Sequence, residues 1–257
     1  MSDVKSESLT TARPAGPILP DYNHAAKQPM RHVLRWLIDN IGFRWLVKLD
    51  ATHGLENVPR TGPAILMINH IAFVDPIVVL GQMPRNIVPL AKKEVYDDPL
   101  WGIFPKLWDV IPVSRDGNDL HALKRALAVL KAGEIVLIAP EGTRHEALRE
   151  PKAGIGYLAH KSGVPILPVA VENTAGFPTL KRARHQGPGV VVQIGRPFIV
   201  KEPLLAGRVA KPVLEQITRE SMYQLASILP PSRRGDYSDL SQMSMETIAY
   251  VDPNPTV

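Results

Sequence analysis

Short apolar runs alternate with segments of helical periodicity along most of this chain. Strands are predicted at about residues 47–53, 64–69, 86–90, 109–113, 134–138, 166–171 and 190–194. Helices are predicted at about residues 30–45, 76–83, 118–132, 153–162 and 208–228. Strands that alternate with helices form a largely parallel sheet with helices on its faces. The expected fold class is therefore α/β: a single domain with a mostly parallel, helix-flanked sheet and an N-terminal amphipathic helix.

The ends of the chain differ in composition from its middle. Residues 1–28 are rich in Ser, Thr, Ala and Pro, lack the apolar stretch of a secretory signal, and are expected to form a disordered lead. Residues 29–46 are expected to form the amphipathic helix and residues 47–229 the folded domain. Residues 230–257, which begin with Pro230 and Pro231, are expected to form a flexible tail in which residues 243–251 can dock. Secretion is not expected.

The helix predicted at residues 29–46 combines an apolar stripe with arginines. The apolar residues at helical spacing are Val33, Leu34, Leu37, Ile38, Ile41 and Trp45. The arginines elsewhere on the cylinder are Arg31, Arg35 and Arg44. Two interpretations stay open, a helix in the interface of an anionic membrane or a helix packed on the sheet. Charged residues interrupt every apolar run, so this segment is not expected to span a bilayer.

The composition narrows the classes of partner. The chain has 257 residues, no cysteine and a formal net charge of +5. The absence of cysteine excludes disulfides, thiolate metal sites and cysteine nucleophiles, and makes a cytosol-facing protein the default. The positive charge suits anionic partners such as phospholipid surfaces or phosphorylated cofactors. Because the charge is dispersed and no basic run is interleaved with aromatic residues, no nucleic acid partner is expected.

A histidine and a carboxylate follow the strand predicted at residues 64–69. The segment reads Asn69-His70-Ile71-Ala72-Phe73-Val74-Asp75, and Asp75-Pro76 is typical of a helix start. Five residues apart, His70 and Asp75 would face opposite sides of a strand, and they would lie roughly 140° apart on a helix. They can meet only if residues 71–74 form a turn. The pair is then a general base with an orienting carboxylate, whereas otherwise it is a core histidine and a helix cap.

A glycine-containing loop follows the strand predicted at residues 134–138. It reads Ala139-Pro140-Glu141-Gly142-Thr143-Arg144. Backbone amides of such a loop can approach an anion, and the planar guanidinium of Arg144 fits phosphate oxygens. The same residues also occur in ordinary turns with an exposed arginine. The loop is therefore a candidate phosphate site that depends on its context.

In this order and spacing, the two segments resemble the hallmark blocks of the glycerolipid acyltransferase family, the 1-acylglycerol-3-phosphate acyltransferases and their relatives. The family's four blocks are Asn-His-x4-Asp, a Phe-Ile-x-Arg-type segment, Phe-Pro-Glu-Gly-Thr-Arg-Ser and Val-Pro-Ile-x-Pro-Val. They correspond here to residues 69–75, 111–115, 139–145 and 164–169. The second block keeps Arg115 but has Ser114 where an acidic residue is common. The third has Ala139 in place of Phe and His145 in place of Ser.

The resemblance implies an acyltransferase domain that moves a fatty acyl chain from a thioester to a lysophospholipid hydroxyl. The donor would be acyl-CoA or acyl carrier protein, and the acceptor 1-acyl-glycerol-3-phosphate or another lysolipid or glycolipid. His70 would remove the hydroxyl proton, and Asp75 would fix the imidazole tautomer. Such chemistry requires no cofactor and no metal. The protein is expected to bind peripherally to the cytoplasmic face of an anionic membrane.

The resemblance also implies a site for the acceptor's phosphate. The candidate residues are Arg144, Gly142, Thr143, Glu141 and Arg115. Arg144 and the backbone amides of Gly142 and Thr143 would hold the phosphate. Glu141 would orient Arg144 or a glycerol hydroxyl, and Arg115 is either a second phosphate ligand or a solvated loop arginine.

Other interpretations stay open beside this one. Residues 154–159 fit the G-x-G-x-x-A pattern of an NAD(P)-binding oxidoreductase, with Glu172 at a suitable distance. In such proteins the glycines follow a strand directly, whereas residues 141–153 intervene here, so a closely packed helix start is favoured. A non-catalytic lipid-binding relative is another possibility, against which the intact His70 and Asp75 argue. Lys92 and Lys93 are either a solvated pair or contacts for an anionic thioester carrier or lipid headgroups.

Overall fold

A nine-stranded sheet forms the centre of the molecule. The computed structural model describes residues 22–99, 101–114, 119–152 and 154–254. The strands are β1 Leu49–His53, β2 Ala64–Ile68, β3 Ile87–Lys92, β4 Ile111–Val113, β5 Ile135–Ile138, β6 Ile166–Glu172, β7 Val190–Ile194, β8 Phe198–Val200 and β9 Ile248–Tyr250. The first seven correspond to the seven predicted strands. The sequence pattern does not predict β8 and β9, because three residues are too few to show an alternation.

Helices cover both faces of the sheet. They are α1 His24–Leu37, the π-helical segment Ile38–Leu46 that continues it, α2 Asp75–Gln82, α3 Ile103–Trp108, α4 Leu120–Lys131, α5 Gly154–Ser162, α6 Arg182–Gln186 and α7 Lys211–Ser227. Helix α4 begins after Asp119, whose carboxylate accepts hydrogen bonds from the amides of His121 and Ala122 at 3.1 and 3.0 Å. The short helices α3 and α6 are not predicted, since one or two turns show no clear periodicity.

Most neighbouring strands run parallel. Their order is β1-β7-β6-β2-β5-β3-β4, with β8 beside β6 and β9 beside β8. Parallel pairs join β2 to β5 and β6, β3 to β4 and β5, and β1 to β7, whereas β7 runs antiparallel to β6. The predicted α/β fold class is therefore confirmed. Because parallel strands end at one edge, the loops that follow β2, β3, β5 and β6 gather there.

Alternate residues of the central strands enter two separate cores. In β2, Ile65 and Met67 pack with α4, α5 and α7 on one face of the sheet, while Leu66 and Ile68 pack with α1 and α2 on the other. Every residue of β2 is buried. Burial on both faces explains why these strands are continuous apolar runs in the sequence.

The N-terminal helices have one face on the domain and one exposed face. Leu34, Ile38 and Arg31 are buried, while Trp36 and Trp45 are each 59% exposed. The arginines that the sequence places beside the apolar stripe therefore differ in burial. Arg31 is buried in the domain, whereas Arg44 is exposed. Helix α1 also begins five residues before the predicted boundary at 29. Residues 1–21 of the predicted lead lie outside the described residues. No helix in the described part of the chain combines the length and the apolar composition needed to cross a membrane.

The C-terminal segment is attached to the domain, so the predicted flexible tail is wrong for residues 230–254. Its 3₁₀ turns are Pro231–Arg233, Gly235–Tyr237 and Leu240–Gln242, and β9 pairs with β8. Glu220 of α7 is fully buried and its carboxylate accepts hydrogen bonds from the hydroxyls of Ser244 and Thr247 at 2.8 and 2.6 Å. The amides of Glu246 and Thr247 donate to the same carboxylate. One buried carboxylate thus holds the segment that leads into β9.

Candidate active site

The turn required between His70 and Asp75 is present. The Nδ1 atom of His70 lies 2.9 Å from Oδ2 of Asp75. The same Oδ2 atom accepts hydrogen bonds from the amides of Ile71 and Ala72 at 2.6 and 2.8 Å. Asp75 is fully buried, whereas the His70 side chain is 20% exposed. Asp75 is the first residue of α2 and not its cap, because its carboxylate turns back to the loop. The arrangement orients an imidazole whose other nitrogen remains available.

Asn69 fixes the start of this loop. Its side-chain amide donates to the carbonyl oxygen of Val171 at 2.9 Å, and its Oδ1 accepts from the amide of Val171 at 2.8 Å. The side chain therefore continues the hydrogen bonding between β2 and β6 by one step beyond β2. Asn69 positions His70 through the backbone and is buried away from the cavity described below.

The loops after β2 and β5 are joined by a hydrogen bond. The amide of His145 donates to the carbonyl oxygen of His70 at 2.8 Å. In the loop after β5, the amide of Gly142 donates to the carbonyl oxygen of Ala139 at 3.0 Å. This amide thus closes the turn, and Gly142 also lines the cavity described below, so its predicted role at the phosphate stays a prediction. Its φ of 68° lies in the left-handed region that favours glycine.

Glu141 turns into the protein, where its carboxylate binds the backbone. It is 5% exposed, and its carboxylate accepts a hydrogen bond from the amide of Arg149 at 2.8 Å. Burial raises the pKa of Glu141 to about 7, although hydrogen bonds from the backbone of Arg149 and His70 oppose the shift. The predicted placement of Glu141 among the phosphate ligands is thus wrong. Glu141 supports the backbone of the two loops instead.

One cavity of about 530 Å³ contains both loops on its wall. His70, Thr143 and Arg144 line its polar end, and Thr143 and Arg144 are exposed. Most of its remaining lining is apolar, contributed by the loop after β2, by α2, α3 and α4, and by β3 and β4: Phe73, Ile77, Leu80, Leu90, Phe104, Val113 and Leu123. A base and a guanidinium therefore share one cavity whose far part is apolar. Its volume is in the usual range for a small-molecule site.

Two lysines add positive charge to the polar end. Lys92, at the end of β3, lines the cavity, which favours a ligand contact over a solvated pair with Lys93. Lys152 also lines it, and its side chain lies across Gly142, where an added Cβ would be 3.1 Å from Lys152 Cδ and Cε. The sequence analysis does not single out Lys152. Its only signal is its position between the loop after β5 and helix α5.

The second block is only partly described. Val113 and Ser114 line the cavity. The Ser114 amide donates to the carboxylate of Asp119 at 2.8 Å. Hydrogen bonds from Ala122 and Ser114 lower the pKa of this carboxyl. Arg115 lies outside the described residues, so its predicted role stays a prediction.

One of the two glycines in the dinucleotide-binding pattern, Gly156, serves helix packing. Gly156 lies on α5 against α7, and an added Cβ would be 2.4 Å from the carbonyl oxygen of Leu214 and 2.5 Å from Oγ1 of Thr218. Only a glycine allows this approach of the two helices. The prediction of a closely packed helix start is confirmed. The pattern therefore no longer supports an oxidoreductase.

The chain is similar in sequence to known acyltransferases. The family model described as Acyltransferase matches residues 51–172. The 1-acyl-sn-glycerol-3-phosphate acyltransferase of Borreliella burgdorferi is 35% identical over 139 residues, 52% of this chain and 55% of that protein. The protein of the same name from Bacillus subtilis is 32% identical over 118 residues, 46% of this chain and 59% of that protein. The chain thus spans less than two thirds of either relative.

A solved structure has the same fold. The crystal structure of the 1-acyl-sn-glycerophosphate (LPA) acyltransferase PlsC from Thermotoga maritima superposes with a TM-score of 0.56 and 25% identity. The superposition covers 76% of this chain and 78% of that chain. Residues 51–172 therefore match the Acyltransferase family model, and the sequence and fold are similar to those of 1-acyl-sn-glycerol-3-phosphate acyltransferases.

Proposed function

We propose that this protein is an O-acyltransferase that moves a fatty acyl chain from a thioester to the free hydroxyl of a lysophospholipid. The proposed donor is acyl-CoA or acyl carrier protein, and the proposed acceptor is 1-acyl-glycerol-3-phosphate, which gives phosphatidic acid. The observation that carries the proposal is that His70, held by Asp75, lines the same cavity as Arg144. The names of the similar relatives and of the solved structure support the choice of acceptor.

The His70–Asp75 pair supplies the base for this reaction. With Nδ1–H directed at Asp75, Nε2 of His70 accepts the proton of the acceptor hydroxyl as its oxygen attacks the thioester carbonyl. The buried carboxylate stabilises the imidazolium that forms. The carbon–sulfur bond breaks, and the proton passes from His70 to the departing thiolate, which restores the free base. Because a thiolate is a good leaving group, no acyl-enzyme is needed.

The cations at the polar end suit the acceptor's phosphate. Arg144 offers a planar set of donors, and Lys92 and Lys152 add two point charges to the lining of the same cavity. Thr143 lines the cavity beside them. The apolar remainder of the cavity suits an acyl chain. A lysolipid or glycolipid with a different headgroup is the alternative acceptor, since the second block departs from the family pattern at Ser114.

We further propose that the protein binds the surface of an anionic membrane through the exposed face of α1 and the π-helical segment. Trp36 and Trp45 are exposed there, with Val33 and Ile41 beside them. Indole rings next to arginines suit the interface of a bilayer, and a lysophospholipid acceptor resides in such a bilayer.

A single assay tests the proposed reaction. Purified protein is incubated with labelled acyl-CoA or acyl carrier protein and a panel of lysolipid acceptors, and the products are identified by mass. We expect phosphatidic acid from 1-acyl-glycerol-3-phosphate, and a loss of turnover of at least about 10²-fold in His70→Ala. Absence of product with every donor and acceptor, or turnover of His70→Ala equal to that of the wild type, would refute the proposal.

A further inference from the structure

Residues 173–189 connect β6 to β7 and expose a large apolar side chain. Leu180 is 75% exposed, more than any other large hydrophobic side chain among the described residues. Lys181 and Arg182 follow it and are also exposed. This connection contains no Asp or Glu. An exposed leucine beside two cations suits insertion into the interface of an anionic bilayer.

Hydrogen bonds within the connection hold its shape. Arg184 donates to the carbonyl oxygens of Ala175 and Pro188 at 2.9 and 2.6 Å, and to that of Asn173. Its guanidinium also lies 3.8 Å from the centroid of the Phe177 ring. One side chain thereby joins the two ends of the connection. Because the connection is ordered before it meets a partner, docking requires little further loss of conformational entropy.

The connection lies next to the end of the π-helical segment. The amide of Thr179 donates to the carbonyl oxygen of Leu46, the last residue of the π-helical segment, at 2.9 Å. Standard chain dimensions then limit the distance between the Cα atoms of Leu180 and Trp45 to about 14 Å. Trp45 is itself 59% exposed. The two apolar surfaces are therefore close enough to meet one bilayer.

The connection and the end of the π-helical segment lie at the edge of the sheet that carries His70. Strand β1 begins beside Val190, the first residue of β7, and Glu172 at the end of β6 pairs with Val191. Strand β2 runs parallel to β6 and ends at the same edge. A bilayer that contacts this edge would therefore lie on the side of the molecule where His70 meets its acceptor.

We propose that the connection between β6 and β7 is a second membrane-binding element, in which Leu180 inserts among the lipids while Lys181 and Arg182 bind the phosphates of anionic headgroups. The inference rests on the proposed function, because that function places the acceptor in a bilayer. It gives the protein two points of contact, which fix the direction in which the active-site edge faces the membrane.

Fluorescence of a labelled cysteine tests the insertion directly. Since the chain has no cysteine, Leu180→Cys in the 257-residue chain accepts a single environment-sensitive dye. Leu55→Cys is the matched control, because Leu55 is also exposed but follows β1 at the opposite edge. With vesicles that contain phosphatidylglycerol, we expect a blue shift and a rise in intensity at position 180 and neither at position 55. An unchanged spectrum at position 180 under conditions where the protein sediments with the vesicles would overturn the proposal.

Vesicle sedimentation tests the two cations. Lys181→Gln combined with Arg182→Gln should weaken binding to phosphatidylglycerol vesicles about 20-fold at low salt and leave binding to neutral vesicles unchanged. The control variant combines Lys131→Gln with Lys161→Gln, two exposed lysines at the opposite edge. Equal binding of both double variants would overturn the proposal. Turnover of a water-soluble, short-chain acceptor is measured alongside. If the proposed function is wrong, no variant turns this acceptor over. If only the membrane-binding inference is wrong, every variant turns it over at the wild-type rate.

Discussion

At the scale of single residues, Asp75 holds a loop together and orients an imidazole at the same time. Its Oδ2 atom contacts His70 and two backbone amides, and none of its surface is exposed. A charge in such a place is stable only because these donors bind Oδ2, since Oδ1 is buried without a hydrogen-bond partner. Removal of the charge and removal of the hydrogen-bond acceptor are therefore separable experiments.

The variant Asp75→Asn removes the charge and keeps an oxygen for the amides of Ile71 and Ala72. We expect kcat to fall about 10²- to 10⁴-fold, because the imidazolium loses its counterion and the tautomer is no longer fixed. The unfolding temperature should stay within a few degrees of the wild type. Asp75→Ala should lose about 1–3 kcal/mol of unfolding free energy in addition, since the two amides are left without an acceptor. Wild-type kcat in Asp75→Asn would contradict the assigned role.

The variant Lys152→Gln tests the cation that the sequence analysis overlooks. Its charge lines the cavity beside Arg144. We expect KM for 1-acyl-glycerol-3-phosphate to rise about 10-fold and kcat to change little, because a charged hydrogen bond to the phosphate is lost. KM for an acceptor without phosphate should not change. Lys161→Gln, an exposed lysine at the far end of α5, is the matched control. Equal KM values for both variants would mean that Lys152 does not bind the phosphate.

Glu141 should make stability depend on pH. Burial raises its pKa from 4.5 to about 7, so between these values the folded protein retains a proton that the unfolded chain has lost. Its contribution to stability is therefore complete below about pH 4.5 and is lost as pH rises through about 7. Denaturant unfolding at pH 5 and pH 7.5 measures this loss. The difference between the two pH values should be smaller in Glu141→Gln, which keeps an oxygen for the amide of Arg149. An unchanged difference would show that Glu141 does not titrate in this range.

The residue types at the site were predictable from the sequence, but several side-chain directions were not. The spacing of His70 and Asp75 required a turn, and that turn is present. Glu141 and Gly142 belong to the same loop as Arg144, yet one is buried and the other donates its amide within the turn. A motif gives the order of residues along the chain and does not say which of them face the ligand.

At the scale of elements, the N-terminal helix packs one face on the domain and exposes another, whereas the sequence shows a single apolar stripe. Arg31 is fully buried, donates to the carbonyl oxygen of Trp108 at 3.1 Å, and lies 3.7 Å from the Glu134 carboxylate. Arg35 donates to the carbonyl oxygens of Gly81 and Met83. Helical periodicity could not separate these arginines from the exposed Arg44, because spacing along a helix does not identify the neighbour on each side.

The variant Arg31→Met tests whether the helix is fixed to the domain by this buried contact. We expect a loss of about 3 kcal/mol or more in the free energy of unfolding, because the buried Glu134 carboxylate loses an ion-pair partner and the carbonyl of Trp108 loses a donor. Arg44→Met changes an exposed arginine of the same helical region and should alter stability by less than about 0.5 kcal/mol. Denaturant unfolding of the two variants measures both. Equal stability of the pair would mean that the buried contact is unimportant.

At the scale of the whole molecule, the alternation of strand and helix predicts the parallel part of the sheet and the edge where the site lies. The antiparallel part was not predictable in the same way. Strands β8 and β9 have three residues each, and β9 is held by the buried Glu220 through hydrogen bonds to residues 244–247. Polar sequence at the C-terminus suggested flexibility because nothing in it reveals that a distant carboxylate accepts its amides and hydroxyls.

The π-helical segment ends at the edge of the sheet that carries His70, so under the proposed function membrane binding should control access to the acceptor. Trp36→Ser combined with Trp45→Ser removes two large exposed side chains without touching the buried face of the helix. We expect binding to anionic vesicles to fall about 10-fold for each indole.

Acylation of an acceptor embedded in those vesicles should fall in parallel. Acylation of a short-chain acceptor in solution should stay at the wild-type rate, because the His70 cavity is unaltered. Leu55→Ser serves as the control at the opposite edge. Equal loss of both activities would mean that the two tryptophans are needed for folding or for the reaction itself. An undiminished rate on vesicles would mean that the acceptor reaches His70 without membrane binding by these tryptophans.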